Sequence, residues 1–209
     1  MSGFFDFLED LPRYADDAGA VDRLNKRHDM LIAPRADQIA GGRVLDLGAH
    51  DGRWAHAFAA AGARDVVGIE GRADLVARYE SFPDPDLRAK VDLRVGDIFE
   101  DMAQMTRTRE HFDVVAVLGI FYHVMDHFRL LRLVTAFSPR LVILDSEFSL
   151  RPGPTITLVK ERTGKELNAT PQVDGQDVAV VGIPSRAATA LMAEVLGYRT
   201  EWLDWEALK

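Results

Sequence analysis

The fold is decided by the stretch Arg43-Val44-Leu45-Asp46-Leu47-Gly48-Ala49-His50-Asp51-Gly52-Arg53-Trp54. Its apolar half suits a strand that is covered on both faces, and helical spacing resumes after the turn. Gly48 and Gly52 remove side chains where a ligand must approach the backbone, and Asp51 is placed to cap the next helix. The stretch therefore predicts a ligand loop at the carboxyl end of a buried strand. A tight turn that serves only packing is the alternative for this stretch taken alone.

The composition is that of a globular chain. A length of 209 residues suits one α/β domain spanning residues 1–209, and 47% apolar with 28% charged residues is ordinary for such a domain. No run approaches the roughly 20 apolar residues that cross a bilayer, and no leader pattern precedes the domain, so we expect a cytoplasmic protein without a membrane partner. The absence of cysteine excludes disulfides and thiolate metal sites. A net charge of −8 disfavours nucleic acid as a partner.

Strand and helix patterns alternate along the chain. The strand patterns cover residues 43–47, 66–70, 91–95, 112–119 and 141–145. This order predicts an α/β fold of the Rossmann-like type, with a mostly parallel sheet that carries helices on both faces. Ligands of such sheets bind at the carboxyl ends of the strands, which makes residues 43–150 the predicted cofactor-binding core.

The first 40 residues predict a helical lid. Pro12 breaks a first apolar helix face, and Asp16 and Asp17 open a second helix. That second helix places three cations on one side: Arg23, Lys26 and Arg27. They face either an anionic substrate group or solvent, and solvent is the commoner case for charged helix faces.

Two carboxylates at strand ends point to a nucleoside. Glu70 lies 22 positions after Gly48, close to the roughly 20-residue interval at which nucleotide-binding folds place an acid for ribose, and Gly71 follows it. Asp97 with Ile98 suits an exocyclic amino group and an apolar ring face.

Phosphate-binding signatures are missing. A dinucleotide fingerprint needs glycine where the chain has His50 and Arg53, and no Gly-x-x-x-x-Gly-Lys-Ser/Thr loop occurs. The ligand predicted by these features is an adenosine without phosphates.

These motifs resemble the class I S-adenosylmethionine-dependent methyltransferase family over about residues 43–205. The family's first motif is similar to residues 46–52, its ribose acid to Glu70, its adenine acid to Asp97 and its fourth motif to residues 113–122. The resemblance implies a seven-strand-type sheet and S-adenosylmethionine as cofactor. It further implies that Asp46 reaches the cofactor's ammonium through water and that the backbone near the methionine part is supplied by Gly48, Ala49, Gly52 and Leu118.

The chain departs from the family pattern at two places. His50 stands where the family usually has glycine, which predicts a wider loop or a histidine that points to substrate. The sixth strand resembles residues 198–203, which leaves only 204–209 for a seventh strand that is short, missing or replaced.

The loop after the fourth strand faces the methyl group in this fold, and it carries His123 and Tyr122. His123 is the predicted general base, because an imidazole titrates near neutrality and a hydroxyl acceptor must lose a proton. A packing residue at a helix start is the alternative for His123. Tyr122 is predicted to wall the adenine and methyl groups or to donate to a substrate oxygen.

Asp145 and Glu147 place two carboxylates at the end of the fifth strand. They predict either a Mg²⁺ site or hydrogen bonds to substrate or to Arg151. Residues 151–184 are assigned to the acceptor pocket as an insertion, and residues 185–209 to the last helix and strand.

Three function classes remain open from the sequence. The leading one is an O-methyltransferase acting on a hydroxyl of a small molecule, with a sugar as one candidate acceptor. The others are a methyltransferase for a nitrogen or a tRNA base, and a non-catalytic S-adenosylmethionine-binding module. A weaker overall likeness to the methylmannoside-type sugar O-methyltransferases favours the first. The sequence leaves a homo-oligomer open.

Overall fold

A computed structural model describes residues 3–15 and 17–205. The strands are β1 Arg43–Leu47, β2 Asp65–Glu70, β3 Val91–Val95, β4 Val114–Leu118, β5 Leu141–Asp145, β6 Ile156–Arg162 and β7 Val178–Pro184. The α-helices are α1 Ala18–Leu31, α2 Ala36–Ile39, α3 Arg53–Ala60, α4 Ala73–Arg78, α5 Pro85–Arg88, α6 Ile98–Arg107, α7 His127–Ala136 and α8 Arg186–Val195. Short 3₁₀ helices cover Asp6–Asp10, Ala33–Arg35, Tyr79–Ser81 and Phe121–His123. None of the helices in the described ranges is both long and apolar enough to cross a bilayer.

The main sheet is parallel and has the order β3-β2-β1-β4-β5. Because β1 is central, each of its core residues is paired on both sides, Leu45 with Val67 and with Val115. The burial of β1 and β4 matches their continuous apolar runs. The predicted Rossmann-like α/β architecture is confirmed, and the carboxyl ends of all five strands meet at one edge.

The seven-strand-type sheet predicted from the resemblance is wrong: the main sheet of the described residues has five strands. Residues 198–203, predicted as the sixth strand, pair with no strand. Side-chain contacts hold this segment away from the edge of β5, since the ring of Trp202 packs edge-on against Phe148 at 5.2 Å and lies under the guanidinium of Arg186. A groove of about 920 Å³ consequently runs between β5 and this segment.

The N-terminal residues form part of the core. Asp17 caps α1 by accepting a hydrogen bond from the Ala20 N–H at 2.9 Å, whereas the predicted helix start at Asp16 lies outside the described residues. Phe5 packs edge-on against Trp54 of α3 at 5.1 Å, and the same apolar cluster includes Leu24. The predicted lid therefore packs on one face of the sheet as a layer of the fold, while α6 and α7 cover the other face.

The insertion predicted over 151–184 contains the antiparallel pair β6–β7, which forms a separate two-stranded sheet. Hydrogen bonds from Gly182 join it to the loop after β4 and to the start of α7: Gly182 N–H donates to the Val124 carbonyl at 3.0 Å, and His127 Nε2 bonds the Gly182 carbonyl at 2.9 Å. A Cβ at Gly182 would meet the His127 ring at 2.7 Å, so only glycine permits this approach. The hairpin is thereby fixed beside the carboxyl ends of the strands. Ser185 then caps α8 as predicted.

Candidate active site

The turn after β1 is held by its own hydrogen bonds. The N–H groups of Gly48 and Ala49 both donate to the Ile69 carbonyl, at 3.0 and 2.9 Å. Gly48 and Gly52 have φ values of +69° and +82°, which favour glycine. Their missing side chains make room for neighbouring protein atoms, because a Cβ at Gly48 would meet Ile120 at 2.9 Å and one at Gly52 would meet Tyr79 at 2.6 Å. Both glycines were predicted to admit a ligand to the backbone, and the structure shows that they also admit the side chains of Ile120 and Tyr79.

Asp46 is a buried carboxylate with an unpaired atom. It lies in β1, is 1% exposed, and its Oδ2 has no hydrogen-bond partner among the described residues. Burial, reinforced by the nearby Glu70, raises the pKa of Asp46 to about 7. An orphaned buried acceptor of this kind fits the cofactor's ammonium group, directly or through water.

Asp46 makes the stability of the ligand-free protein depend on pH. Its raised pKa means that the folded state binds a proton the unfolded state releases, so this contribution is present at acidic pH and is lost as the pH rises toward and through 7. We expect Asp46→Asn to raise the Tm at pH 8 by about 2–4 °C. The variant should also show a smaller increase in Tm than the intact protein when the pH is lowered from 8 to 5. Differential scanning calorimetry at the two pH values measures this. The exposed Asp92→Asn is the control, and a lower Tm for Asp46→Asn at pH 8 would contradict the assignment.

Glu70 holds the loop from the end of β2. Its two carboxylate oxygens accept the N–H of His50 and the N–H of Arg72, both at 2.9 Å. The side chain is 8% exposed, and each oxygen keeps a further lone pair for a ribose hydroxyl. Gly71 lies beside the insertion, since a Cβ there would meet Thr170 at 3.1 Å.

The predicted adenine residues open α6. Asp97 caps that helix by accepting from the N–H groups of Phe99 and Glu100 at 2.9 and 3.0 Å. Its neighbour Ile98 is buried in the apolar cluster behind the sheet. Asp97 stays exposed just after the carboxyl end of β3, and both cap bonds use Oδ1, so the cap does not engage Oδ2.

His50 adopts the backbone conformation of the glycine it replaces, with a φ of +54°. Its Nδ1 accepts from the Asp51 N–H at 2.8 Å and contacts the Arg53 guanidinium. Its Nε2 lies 3.5 Å from Glu166 of the insertion. The His50 ring is therefore held between the β1 loop and the insertion that is assigned to the acceptor pocket.

Asp51 is a buried anchor below this loop. It accepts from the Tyr14 hydroxyl at 2.5 Å and from Arg53 Nε at 2.6 Å. Although burial opposes ionisation, the charge of Arg53 and the contact with His50 hold the pKa of Asp51 below its ordinary value. The helix cap itself is Gly52, and Asp51 assists with a long 3.3 Å bond to the Arg53 N–H.

The insertion closes over the loop through Glu166, a residue that the sequence analysis missed. Glu166 pairs with Arg13 at 3.0 Å and with Arg78 at 3.1 Å. Burial opposes its ionisation, but Arg78 and Arg13 together lower its pKa. Nothing in the local sequence marks Glu166, because its three partners come from the N-terminal segment, the β1 loop and α4.

The 3₁₀ helix after β4 carries the predicted catalytic pair. His123 Nδ1 lies 2.8 Å from Glu161 Oε2 of β6, and the Tyr122 ring lies 4.1 Å from the His123 ring. Burial, with a contribution from Glu147, raises the pKa of the Tyr122 phenol, so it remains a proton donor at neutral pH. Leu118, the buried last residue of β4, precedes this turn. Glu161 was absent from the predicted site.

Of the two predicted magnesium ligands, Asp145 is paired with an arginine and Glu147 lies exposed. Asp145 Oδ2 accepts from the Arg27 guanidinium at 2.6 Å, and that guanidinium also lies over the Trp54 ring at 4.8 Å. Glu147 is exposed. Residues 3–15 and 17–205 hold no group of three or more histidine, aspartate or glutamate side chains arranged for a metal. Because Arg27 neutralises Asp145, these residues do not fit the predicted Mg²⁺ site. Arg27 is thus the member of the predicted cation cluster that reaches the site.

The sequence profile of a family described as a methyltransferase domain matches residues 18–153, which is more than half of the chain. The chain belongs to this methyltransferase family. The matched region contains β1 to β5 with the Asp46, Glu70 and His123 positions, and together with the fold it identifies a class I S-adenosylmethionine-dependent methyltransferase.

Solved structures share the fold of this methyltransferase at low sequence identity. The N-terminal domain of EvdMO1 with SAH bound is 22% identical, with a TM-score of 0.56 over 82% of this chain and 74% of that one. The same domain in the presence of SAH and D-fucose gives a TM-score of 0.57 over 87% and 74%. A SAM-dependent methyltransferase from Archaeoglobus fulgidus is 14% identical, with a TM-score of 0.50 over 92% and 73%. No curated protein sequence matches the chain.

The [4+2]-cyclase SpnF also shares the fold, with 17% identity and a TM-score of 0.50 over 86% of this chain and 58% of that one. A cyclase on the same scaffold illustrates that the fold alone does not fix the reaction. The acceptor must therefore be argued from the site.

Proposed function

We propose that this methyltransferase transfers a methyl group to a hydroxyl of a small molecule, with a sugar as the leading acceptor class. The observation that carries the proposal is the contact of His123 with Glu161 at 2.8 Å, beside Tyr122 and at the carboxyl edge of the sheet. A hydroxyl acceptor needs a base, and a histidine paired with a carboxylate is suited to be one.

S-adenosylmethionine, when bound, supplies a methyl group on a positively charged sulfur. In the proposed site Asp46 would hold its ammonium, Glu70 its ribose hydroxyls and Asp97 its adenine amino group, while Ile98 and the loop residues 48–52 would flank it. His123 takes the proton of the acceptor hydroxyl, and Tyr122 donates to a neighbouring substrate oxygen. Alignment of acceptor and methyl group is the main contribution of the protein, because the reaction is a direct displacement.

A small acceptor is supported by the cover over the site. β6 supplies Glu161, and the loop after it supplies Glu166 and the carbonyls of Thr163, Lys165 and Asn168 that bind the Arg72 guanidinium. A cover fixed at so many points favours a compact acceptor over a macromolecule. The net charge of −8 disfavours the alternative tRNA acceptor. D-fucose, present with the related EvdMO1 domain, is a suitable first probe.

A two-step screen tests the proposal. S-adenosylhomocysteine should bind in calorimetry and raise the Tm. Methyl transfer from labelled S-adenosylmethionine is then measured with D-fucose, methyl mannoside, further deoxyhexoses, amino sugars and tRNA. O-methylated sugar supports the proposal. Transfer only to an amine or to tRNA would replace the proposal by the alternative of a methyltransferase for a nitrogen or a tRNA base. Binding without transfer to any of these probes would replace it by the non-catalytic S-adenosylmethionine-binding module.

Magnesium dependence is tested separately with a chelator. Because Asp145 is already paired with Arg27 at 2.6 Å, we expect turnover to be unchanged in excess EDTA and unchanged on adding Mg²⁺. Any activity that Asp145→Asn loses should come from the misplacement of Arg27. The matched Arg27→Gln variant should therefore lose the same activity. Loss of activity in EDTA that Mg²⁺ restores would return Asp145 and Glu147 to the role of metal ligands.

A further inference from the structure

Glu161 contacts His123, and its carboxylate is positioned both by β6 and by the loop that follows β6. It lies on the inward face of β6, where alternate residues of the strand are less exposed than their neighbours. Its Oε2 lies 2.8 Å from His123 Nδ1 and accepts the Ala169 N–H at 2.9 Å. The side chains of His123 and Glu161 are only 10% and 16% exposed, so solvent competes weakly for this contact.

We propose that Glu161 is a positioning residue for the reaction: it fixes the His123 ring with the proton on Nδ1 and leaves Nε2 free to accept the acceptor's proton. An ionised carboxylate only accepts hydrogen bonds, so the contact requires that Nδ1 carries the hydrogen. In a neutral imidazole the other nitrogen is then the acceptor. This inference rests on the proposed function and assigns Glu161 no direct contact with substrate.

The proton and methyl balance is complete with these groups. The acceptor oxygen forms a bond to the methyl carbon while the carbon–sulfur bond of the cofactor breaks, and the sulfur keeps that electron pair. The acceptor's proton moves to His123 Nε2, which produces an imidazolium. Glu161 remains ionised and stabilises that cation, so no further reactant is needed.

The carboxylate is kept in place by the loop that follows β6. Arg72, whose N–H bonds Glu70, binds the carbonyls of Thr163, Lys165 and Asn168 at 2.8, 3.1 and 3.2 Å through its guanidinium. The next residue in that loop, Ala169, donates to Glu161. One continuous set of contacts therefore joins the predicted ribose acid Glu70 to the predicted base His123 through Arg72, the loop after β6 and Glu161.

The first test is the tautomer of His123, which can be measured without any acceptor. ¹⁵N histidine NMR at alkaline pH should show the Nδ1–H form of His123 in the intact chain and in Glu161→Gln, whose amide oxygen still accepts. Glu161→Ala should shift the ring toward the Nε2–H form. Lys160→Gln on the outward face of the same strand is the matched control and should change nothing. An unchanged tautomer in a folded Glu161→Ala variant would overturn the inference.

The second test is a double-mutant cycle on turnover with the sugar acceptor identified by the screen, D-fucose being the first probe. We expect Glu161→Gln to lower kcat by about 10-fold and Glu161→Ala by about 10²–10³-fold, with the KM for S-adenosylmethionine nearly unchanged. Glu161→Ala should cost nothing further once His123 is alanine. Full activity of the Glu161 variants beside an inactive His123→Ala would overturn this inference alone. Full activity of His123→Ala would overturn the proposed base and this inference with it.

Discussion

Replacing His123 by alanine is expected to lower kcat by about 10²–10⁴-fold, the usual contribution of a positioned base, while cofactor affinity stays nearly the same. The reason is its place: the ring lies in the 3₁₀ helix after β4, next to Tyr122 and 2.8 Å from Glu161. Steady-state kinetics with S-adenosylmethionine saturating measures the loss. His111→Ala, a change of an exposed histidine at the opposite end of β4, should leave kcat unchanged.

The pH dependence of kcat provides a second test of His123 as the base. A base must be neutral to accept a proton, so turnover of the intact enzyme should fall on the acid side, and His123→Ala should lose that acid limb. If the variant keeps near-normal turnover, His123 is a packing residue. The base role would then pass to another group, or the acceptor would be an amine that needs no base.

Replacing Glu70 by alanine is expected to weaken S-adenosylmethionine binding by about 1–3 kcal/mol, or roughly 5- to 150-fold. The variant removes the predicted ribose contact and also the acceptor for the N–H groups of His50 and Arg72, so the loop loses its support on the β2 side. Isothermal titration calorimetry with S-adenosylhomocysteine measures the affinity.

Two further variants separate these effects. Glu70→Gln keeps one acceptor oxygen and should fall between the intact chain and alanine. Glu80→Ala, at an exposed position in the 3₁₀ helix Tyr79–Ser81, should bind S-adenosylhomocysteine with normal affinity. Unchanged affinity in a folded Glu70→Ala variant, or tighter binding of NAD than of S-adenosylhomocysteine, would show that the nucleoside is not held here.

Local patterns were sufficient for the strands that build the carboxyl edge. The apolar runs at β1 and β4 must be buried on both faces, and the alternation with helices makes the sheet parallel. Strand ends follow from the same runs, so the sequence also placed Asp46, Glu70, Asp97 and Asp145 at one edge. The sequence also placed Gly48 and Gly52 in the turn after β1, where the structure gives both residues positive φ values.

The sheet's outer edge was not predictable from such patterns. Residues 198–203 have a strand-like composition, but whether a segment pairs with β5 depends on competing side-chain contacts. Here the contacts of Trp202 with Phe148 and Arg186 hold the segment away. The resemblance to seven-strand relatives predicted a sixth strand at residues 198–203, and tertiary packing leaves this segment unpaired.

What the sequence by itself determined is the class of the protein: a parallel α/β sheet, a glycine turn after β1 and acids at successive strand ends. What only the tertiary structure decided is which of those side chains are already engaged. Asp145 meets Arg27 from a helix 118 positions earlier, and His123 meets Glu161 from a strand 38 positions later. Such pairs leave no periodic signal, because a hydrogen bond between distant segments depends on how the layers pack and not on the spacing of residues along either one.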